Sequence, residues 1–289
     1  MNIEELNDIT YEKGEDGICT ITINRPERRN AFTHVTFLEI ETALEDMEED
    51  EDAQVLIIKG SKEGNAFSSG GFFDIKALSS ISPEIRKELD LTDIAQKKLS
   101  MKLWDFSKPV IAAINGLAIG AGITLPLIGA DLIYMAKNAW LGFYFVKRAV
   151  IPEFSISFLL PFYVGFQKAK EILYFGDKIT ADEALDLGLV NDVLPGDELL
   201  EHCRNRAKQL IPPHSPTLSI RMMKRIIHNP FRKFLSTTLD LENEGNQAAF
   251  KTADFRESTR ALKEKREPQF KGKDNRAVRK FLEGFLKED

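Results

Sequence analysis

Cysteine is nearly absent from this chain of 289 residues: Cys19 and Cys203 are the only two. Two cysteines cannot build a disulfide framework or a Cys-rich zinc site. With no CxxC, a reducing, cytoplasmic setting is expected. Positive charge is not in excess either. Lys plus Arg number 39 against 45 Asp plus Glu, a formal net charge of −6, which argues against a bulk electrostatic nucleic-acid binder. The four histidines, at 34, 202, 214 and 228, are scattered, and no HExxH occurs. There is no GxxxxGK[ST], so no P-loop, and Gly120-Ala121-Gly122 lacks the third glycine of a dinucleotide fingerprint. Ser68 and Ser69 lack the GxSxG elbow, so a serine hydrolase is unsupported. Residues 1–16 hold seven charged side chains and no apolar core, so no secretory signal is expected.

What is present is an ordinary folded composition, 43% hydrophobic and 29% charged. The length allows one large domain or two smaller ones. Ile18 to Ile23 is rich in β-branched residues and predicts a strand that ends at Asn24-Arg25-Pro26. Ala31 to Met47 has helical spacing, with Phe37, Ile40, Leu44 and Met47 on one stripe. Seven acids fill eight positions from Glu45 to Asp52, most simply a solvated helix end. Val55 to Ile58 predicts a strand stopped by Lys59-Gly60, and residues 83–106 predict a helix. Pro109 to Ala130 is 22 residues without a charge, long enough to span a membrane. Its Asn115, Gly116, Gly120, Gly122, Pro126 and Gly129 instead favour a buried strand, a turn and a helix. Leu132 to Ala136 predicts a further strand, and Thr180 to Glu183 has capping-box spacing. Strands alternating with helices make the fold class α/β. After Pro195 the pattern is helical, with a boundary near 195–215, around Pro212-Pro213. This divides the chain into a core, 1–200, and a helical part, 201–289, with an extra helix at 275–289.

Two loops after apolar strands are short of bulk: Phe67-Ser68-Ser69-Gly70-Gly71 and Asn115 to Gly122. They read either as tight turns with close helix packing or as a pair of main-chain donors for an oxyanion. A helix starting near Ala121 would add free N–H groups and its positive dipole end.

A set of short motifs runs through the chain in order: Asn24-Arg25-Pro26 with Asn30-Ala31; Ala66-Phe67-Ser68-Ser69-Gly70; Lys108 to Gly116; Gly120-Ala121-Gly122; Ala130-Asp131-Leu132; Ile151-Pro152; Leu160-Pro161; Gly165; Gly176 to Ala181; Gly188-Leu189-Val190; and Glu264 to Phe270. Together, from about residue 8 to 271, they resemble the crotonase superfamily, the enoyl-CoA hydratase/isomerase family. The resemblance implies a spiral of repeated ββα turns with a helical C-terminal part used for trimer contacts. It implies an acyl-CoA thioester substrate, whose carbonyl sits between two backbone amides while an enolate forms. By position these amides belong to Gly71 and Ala121. Coenzyme A is then part of the substrate, and no separate cofactor, metal, nucleic acid or membrane is expected.

Two departures from the family pattern matter. Phe72-Phe73 lengthens the first loop before Asp74. The two positions that hold glutamates in a typical hydratase hold Thr124 and Phe145. One acid remains, Glu153, directly after Ile151-Pro152, where some family isomerases carry a catalytic acid. On residues alone it reads as an exposed loop acid; with the resemblance it reads as a general base among apolar neighbours, its pKa raised. The resemblance further implies substrate contacts at Arg28, Ser69, Asp74, Ile75 and Lys76, and beside them Thr124 and Phe145. Arg28, Arg29 and Lys76 read equally well as solvated charges. Phe72, Phe73, Phe143, Tyr144 and Phe145 line an acyl pocket or belong to the core.

The expected activity is isomerisation of a 3-enoyl-CoA to a 2-enoyl-CoA with Glu153 as proton shuttle. The alternatives are hydration, another acyl-CoA lyase or hydrolase reaction, or a non-catalytic acyl-CoA-binding module. Phe231, Leu235 and Leu239, with Phe250 and Phe255, form an apolar stripe without an evident second core, so a homotrimer or a dimer of trimers is expected.

Overall fold

The computed structural model describes residues 3–71, 83–88, 90–273 and 275–285. The chain opens with β1 (Ile9–Lys13) and β2 (Ile18–Ile23), followed by α1 (His34–Glu49). Three strand pairs follow, and in each pair the chain leaves one sheet for another. They are β3 (Val55–Gly60) with β4 (Ala66–Ser68), β5 (Val110–Ile114) with β6 (Leu117–Ile119), and β7 (Leu132–Ala136) with β8 (Trp140–Gly142). Helices α2 (Pro83–Glu88) and α3 (Lys97–Asp105) lie between the first two pairs, and α4 (Ala121–Gly129) between the second and third. The larger sheet has the order β1-β2-β3-β5-β7-β10 and the smaller one β4-β6-β8-β9, with β9 (Lys178–Thr180) and β10 (Asp192–Leu194) added late in the chain. Apart from β1 and β9, the strands pair in parallel. This is the expected repeat of a long strand, a short strand and a helix.

A parallel sheet is covered on both faces, which explains why β2 and β5 are buried at every residue and why β5 reads as a continuous apolar run. The sharp step from β5 to β6 is fixed by the Asn115 carboxamide. It accepts from Gly60 N–H (3.1 Å) and donates to Gly60 C=O (2.9 Å), replacing a rung of backbone pairing where the strands diverge. The uncharged run 109–130 is thus β5, β6 and α4. Among the described residues no helix is long and apolar enough to cross a membrane.

The remaining helices are α5 (Ile156–Val164), α6 (Phe166–Phe175), α7 (Ala181–Asp186), α8 (Leu199–Gln209), α9 (Thr217–His228), α10 (Arg232–Ala249), α11 (Ala253–Glu264) and α12 (Arg276–Gly284). Thr180 and Glu183 cap α7 reciprocally, as their spacing predicts. Helix α8 spans the expected division at residue 200 and packs against β2, β3, β5 and β7.

Three expectations are corrected. Residues 83–106 are not one helix: α2 and α3 are separated by turns, and Gln96 enters α3 in the left-handed region (φ 57°). The strand from Val55 does not stop before Lys59-Gly60 but runs through Gly60, which pairs with Ile23. The stripe on α10 does have a core to bury it. Leu235 and Leu239 are fully buried in their own chain, and the Leu235 carbonyl receives the Ser155 hydroxyl (3.4 Å).

Candidate active site

The two small-residue loops meet through their backbones. Gly70 adopts φ +94°, and a Cβ placed on it would lie 2.6 Å from the Ile119 carbonyl oxygen and 3.8 Å from the Ala121 nitrogen. A Cβ on Gly122 would run into the Ser68 carbonyl oxygen. Only glycine allows this approach, and the approach sets the Gly70-Gly71 segment beside the first amide of α4. A bridge between Phe32 and Gly71, with Phe32 N–H donating to Gly70 C=O (2.9 Å), anchors the other side.

The loop after β2 is tied to the same place. Ser69 N–H donates to the Arg29 carbonyl (3.0 Å) and its hydroxyl to the Arg28 carbonyl (3.0 Å). The Ser69 hydroxyl is therefore used to hold the arginine loop. Asn30, fully buried, bonds Ser61 and Ala66 carbonyls from the centre of that loop. Arg28 itself is exposed at the rim. Phe72, Phe73, Asp74, Ile75 and Lys76 lie outside the described residues.

Glu153 reaches this point from the opposite wall. Its carboxyl lies near the Ala121 backbone N–H, which favours the ionised form. Burial, and then the nearby Glu242 carboxyl, push its pKa from the ordinary glutamate range up to about 8, against the pull of that N–H. The group is therefore no ordinary solvated loop acid. Near neutral pH it exchanges a proton readily, the property a general base needs.

The segment carrying it is an unusual turn. Phe154 and Ser155 both have φ +57°, two successive non-glycine residues in the left-handed region. The Phe154 ring is buried against Phe37 of α1 (centroids 5.8 Å), and its N–H donates to Ala95 C=O (3.2 Å). Helix α10 holds the rest. Glu242, buried, accepts Ser155 N–H (2.8 Å) and Ser157 N–H (2.9 Å). Asn246, also buried, accepts Ile151 N–H (3.0 Å) and donates to Pro152 C=O (3.3 Å). Sequence reading missed both residues. The signal was present, since Leu235, Leu239, Glu242 and Asn246 continue one helical stripe, and two polar residues on a buried stripe are unusual.

The two positions of missing acids differ. Thr124 lies one turn into α4, fully buried, and its hydroxyl has no hydrogen-bond partner among the described residues. The Phe145 ring stands 3.9 Å from the Cβ point of Gly120, an apolar wall beside the second loop. Of the other aromatics, Phe143 is a core side chain, and Tyr144 packs on Trp140 (6.0 Å) beneath Lys147 (4.8 Å). Among the described residues no group of acids, histidines and cysteines could hold a metal.

Two mostly parallel sheets linked by repeated strand pairs agree with what known proteins show. The enoyl-CoA hydratase/isomerase family profile matches residues 13–273. The chain is 31% identical over 259 residues to the 1,2-epoxyphenylacetyl-CoA isomerase of Escherichia coli K12, covering 90% of this chain and 97% of the relative. It is 30% identical over 262 residues to the short-chain-enoyl-CoA hydratase of Clostridium acetobutylicum, covering 91% and 97%. The crystal structure of an enoyl-CoA hydratase/isomerase from Pseudoalteromonas atlantica T6c superposes with a TM-score of 0.79 at 27% identity, covering 92% of this chain and all of the other. The chain belongs to the enoyl-CoA hydratase/isomerase family, acyl-CoA enzymes of the crotonase fold.

Proposed function

We propose that the protein isomerises a 3-enoyl-CoA to a 2-enoyl-CoA with Glu153 as the single proton shuttle. The observation that carries this reading is the Glu153 carboxyl, set beside the Ala121 amide with its pKa raised to about 8, where Thr124 and Phe145 occupy the other two acid positions. The thioester oxygen takes the Gly71 and Ala121 N–H groups. Ionised Glu153 removes a proton from C2. The electron pair spreads over the carbonyl oxygen and the C3–C4 double bond as a dienolate. Main-chain dipoles already aimed at that oxygen stabilise it without reorganising. Glu153, now protonated, gives the proton to C4, and the double bond is left at C2–C3. One carboxyl both takes and returns the proton, so no second acid is needed. Arg28 stands at the rim where a CoA phosphate would pass, and Lys76 is assigned the same role from the sequence alone. The nearness of the Glu153 carboxyl to the Ala121 amide favours catalysis over a mere binding module. The relatives are named both isomerase and hydratase, so the choice between the two rests on the residues of the site.

Hydration is the second reading, supported by the unpartnered Thr124 hydroxyl, which could orient a water. A substrate panel of 3-enoyl-, 2-enoyl- and cyclic acyl-CoAs separates the two. Glu153→Gln is expected to lower isomerisation about 10²–10⁴-fold with acyl-CoA binding nearly unchanged, while Thr124→Ala costs far less. A large loss at Thr124 with Glu153→Gln nearly silent would overturn the isomerase reading.

The buried, unpaired Cys19 and Cys203 support a cytoplasmic setting. We also propose a homotrimer or a dimer of trimers. The support now comes from α9, where Leu218, Met222, Ile226 and Ile227 are each at least 60% exposed. Light scattering at micromolar concentration is expected to give a trimer or hexamer mass; a stable monomer contradicts it.

A further inference from the structure

Among the buried polar groups outside the loops and Glu153, two on α10 stand out, because both spend their hydrogen bonds on the segment that carries Glu153. Glu242 and Asn246 lie one helical turn apart, so they share a face. Their partners bracket the catalytic acid. Asn246 binds Ile151 and Pro152, immediately before it, and Glu242 binds Ser155 and Ser157, immediately after. The backbone between is one that L-residues resist, with φ +57° at both Phe154 and Ser155. A free loop would relax from it. Gly245, between the two clamps, lets the Ile151 side chain lie directly on α10, where a Cβ would collide with Cδ1 of Ile151.

We propose that α10 is the positioning element of this site: Glu242 and Asn246 hold residues 151–157 in the conformation that aims the Glu153 carboxyl at the Ala121 amide. The proposal rests on the reading of Glu153 as the proton shuttle. Neither α10 residue contacts the reacting atoms in this account; both act through Glu153. Glu242 has a second effect that Asn246 lacks. It is the charged side chain that acts on Glu153, and a negative charge there resists ionisation of its neighbour. Burial also raises Glu242 itself, to about 7, while the N–H groups of Ser157 and Ser155 hold it down. The two carboxyls therefore titrate as a pair.

The test compares Glu242→Gln and Asn246→Ala with the wild type. Melting curves check folding. Carbon-13 NMR follows the Glu153 carboxyl through its titration, assigned by its absence in Glu153→Gln. Kinetics on a 3-enoyl-CoA give kcat and KM. Both variants are expected to lower kcat by about 10²-fold, the scale of a misplacement of about 1 Å, with KM nearly unchanged. The Glu153 midpoint is expected to fall in Glu242→Gln and to stay near the wild-type value in Asn246→Ala, where the Glu242 charge remains. Glu242→Asp, which keeps the charge, should keep the midpoint and recover part of kcat. A purely structural role would not separate the two variants by midpoint. Folded variants with wild-type kcat and midpoint overturn the proposal, as does a loss confined to KM. Should Glu242→Gln fail to fold, Asn246→Ala decides: a fall in kcat supports positioning and an unchanged kcat overturns it. Should the wild type not turn over a 3-enoyl-CoA, the isomerase reading fails, and the NMR midpoints still decide whether Glu242 controls Glu153.

Discussion

The loops that carry Gly71 and Ala121 are held by backbone against backbone, whereas the turn that carries Glu153 is held by side chains from a distant helix. In the first region the glycines do the work by having no side chain. Gly70 and Gly122 each let one loop rest on the carbonyl oxygens of the other. In the second region an improbable backbone is forced by Phe154 buried against Phe37 and by the Glu242 and Asn246 clamps. A donor for an oxyanion must not move, and fixed main-chain dipoles suit it. A proton shuttle must hold a tuned pKa, and a half-buried carboxyl beside a second carboxyl suits that.

The comparison can be broken at either side. The largest effect on stability is expected from Gly122→Ala, because its methyl meets the backbone of Ser68 and one loop must give way. Overpacking of this kind costs about 1–3 kcal/mol of stability, and displacing an oxyanion donor costs about 10²–10³-fold in kcat. Denaturant melts and steady-state rates read both, and a Gly122→Ala enzyme with wild-type kcat would show that the loops do not need this contact. A smaller effect, of opposite sign, is expected from Glu153→Gln on stability. The folded-state pKa of Glu153 lies near 8, above the ordinary value of 4.5. The folded state therefore binds that proton more tightly, and the stability this contributes below about pH 4.5 is lost as pH rises through 8. Glu39, raised to about 7, behaves alike in both proteins and cancels in the difference, while loss of the Glu153 charge relieves Glu242 and acts in the same direction. Glu153→Gln should thus melt above the wild type at pH 9, with the gap closing toward pH 5. Equal melting temperatures at pH 9 would mean that Glu153 is not strained by burial.

These two regions also differ in how far the chain alone reveals them. Strands β2, β5 and β7 and the start of α4 follow local rules of β-branched and apolar runs and a helix N-terminus and sit where those rules put them, whereas β3 overruns its expected end and the short strands carry too little pattern to be read. Glu153 was visible only through the family resemblance, since on residues alone it reads as an exposed loop acid. Its clamp was not, because Glu242 follows it by 89 places in sequence and only folding brings the two together. The α10 stripe was visible too, but its burial within the chain was not, since periodicity shows which face is apolar without showing what covers it. Helix α12 packs over Gly245 through Phe281, 3.2 Å from the Cβ point, again a tertiary fact behind a local pattern. The break between α2 and α3 was hidden because residues 90–96 carry no proline or glycine to mark it.

The central claim is that ionised Glu153 takes the proton, and the pH dependence of kcat/KM for 3-enoyl-CoA isomerisation tests it most directly. In the wild type the rate should rise with pH through an apparent pKa near 8, because the free enzyme must lose the Glu153 proton to act. In Glu153→Gln the same limb should vanish, leaving a low, flat profile, and in Thr124→Ala it should stay in place. A limb near 8 that survives in Glu153→Gln would contradict the account and assign the proton to another group.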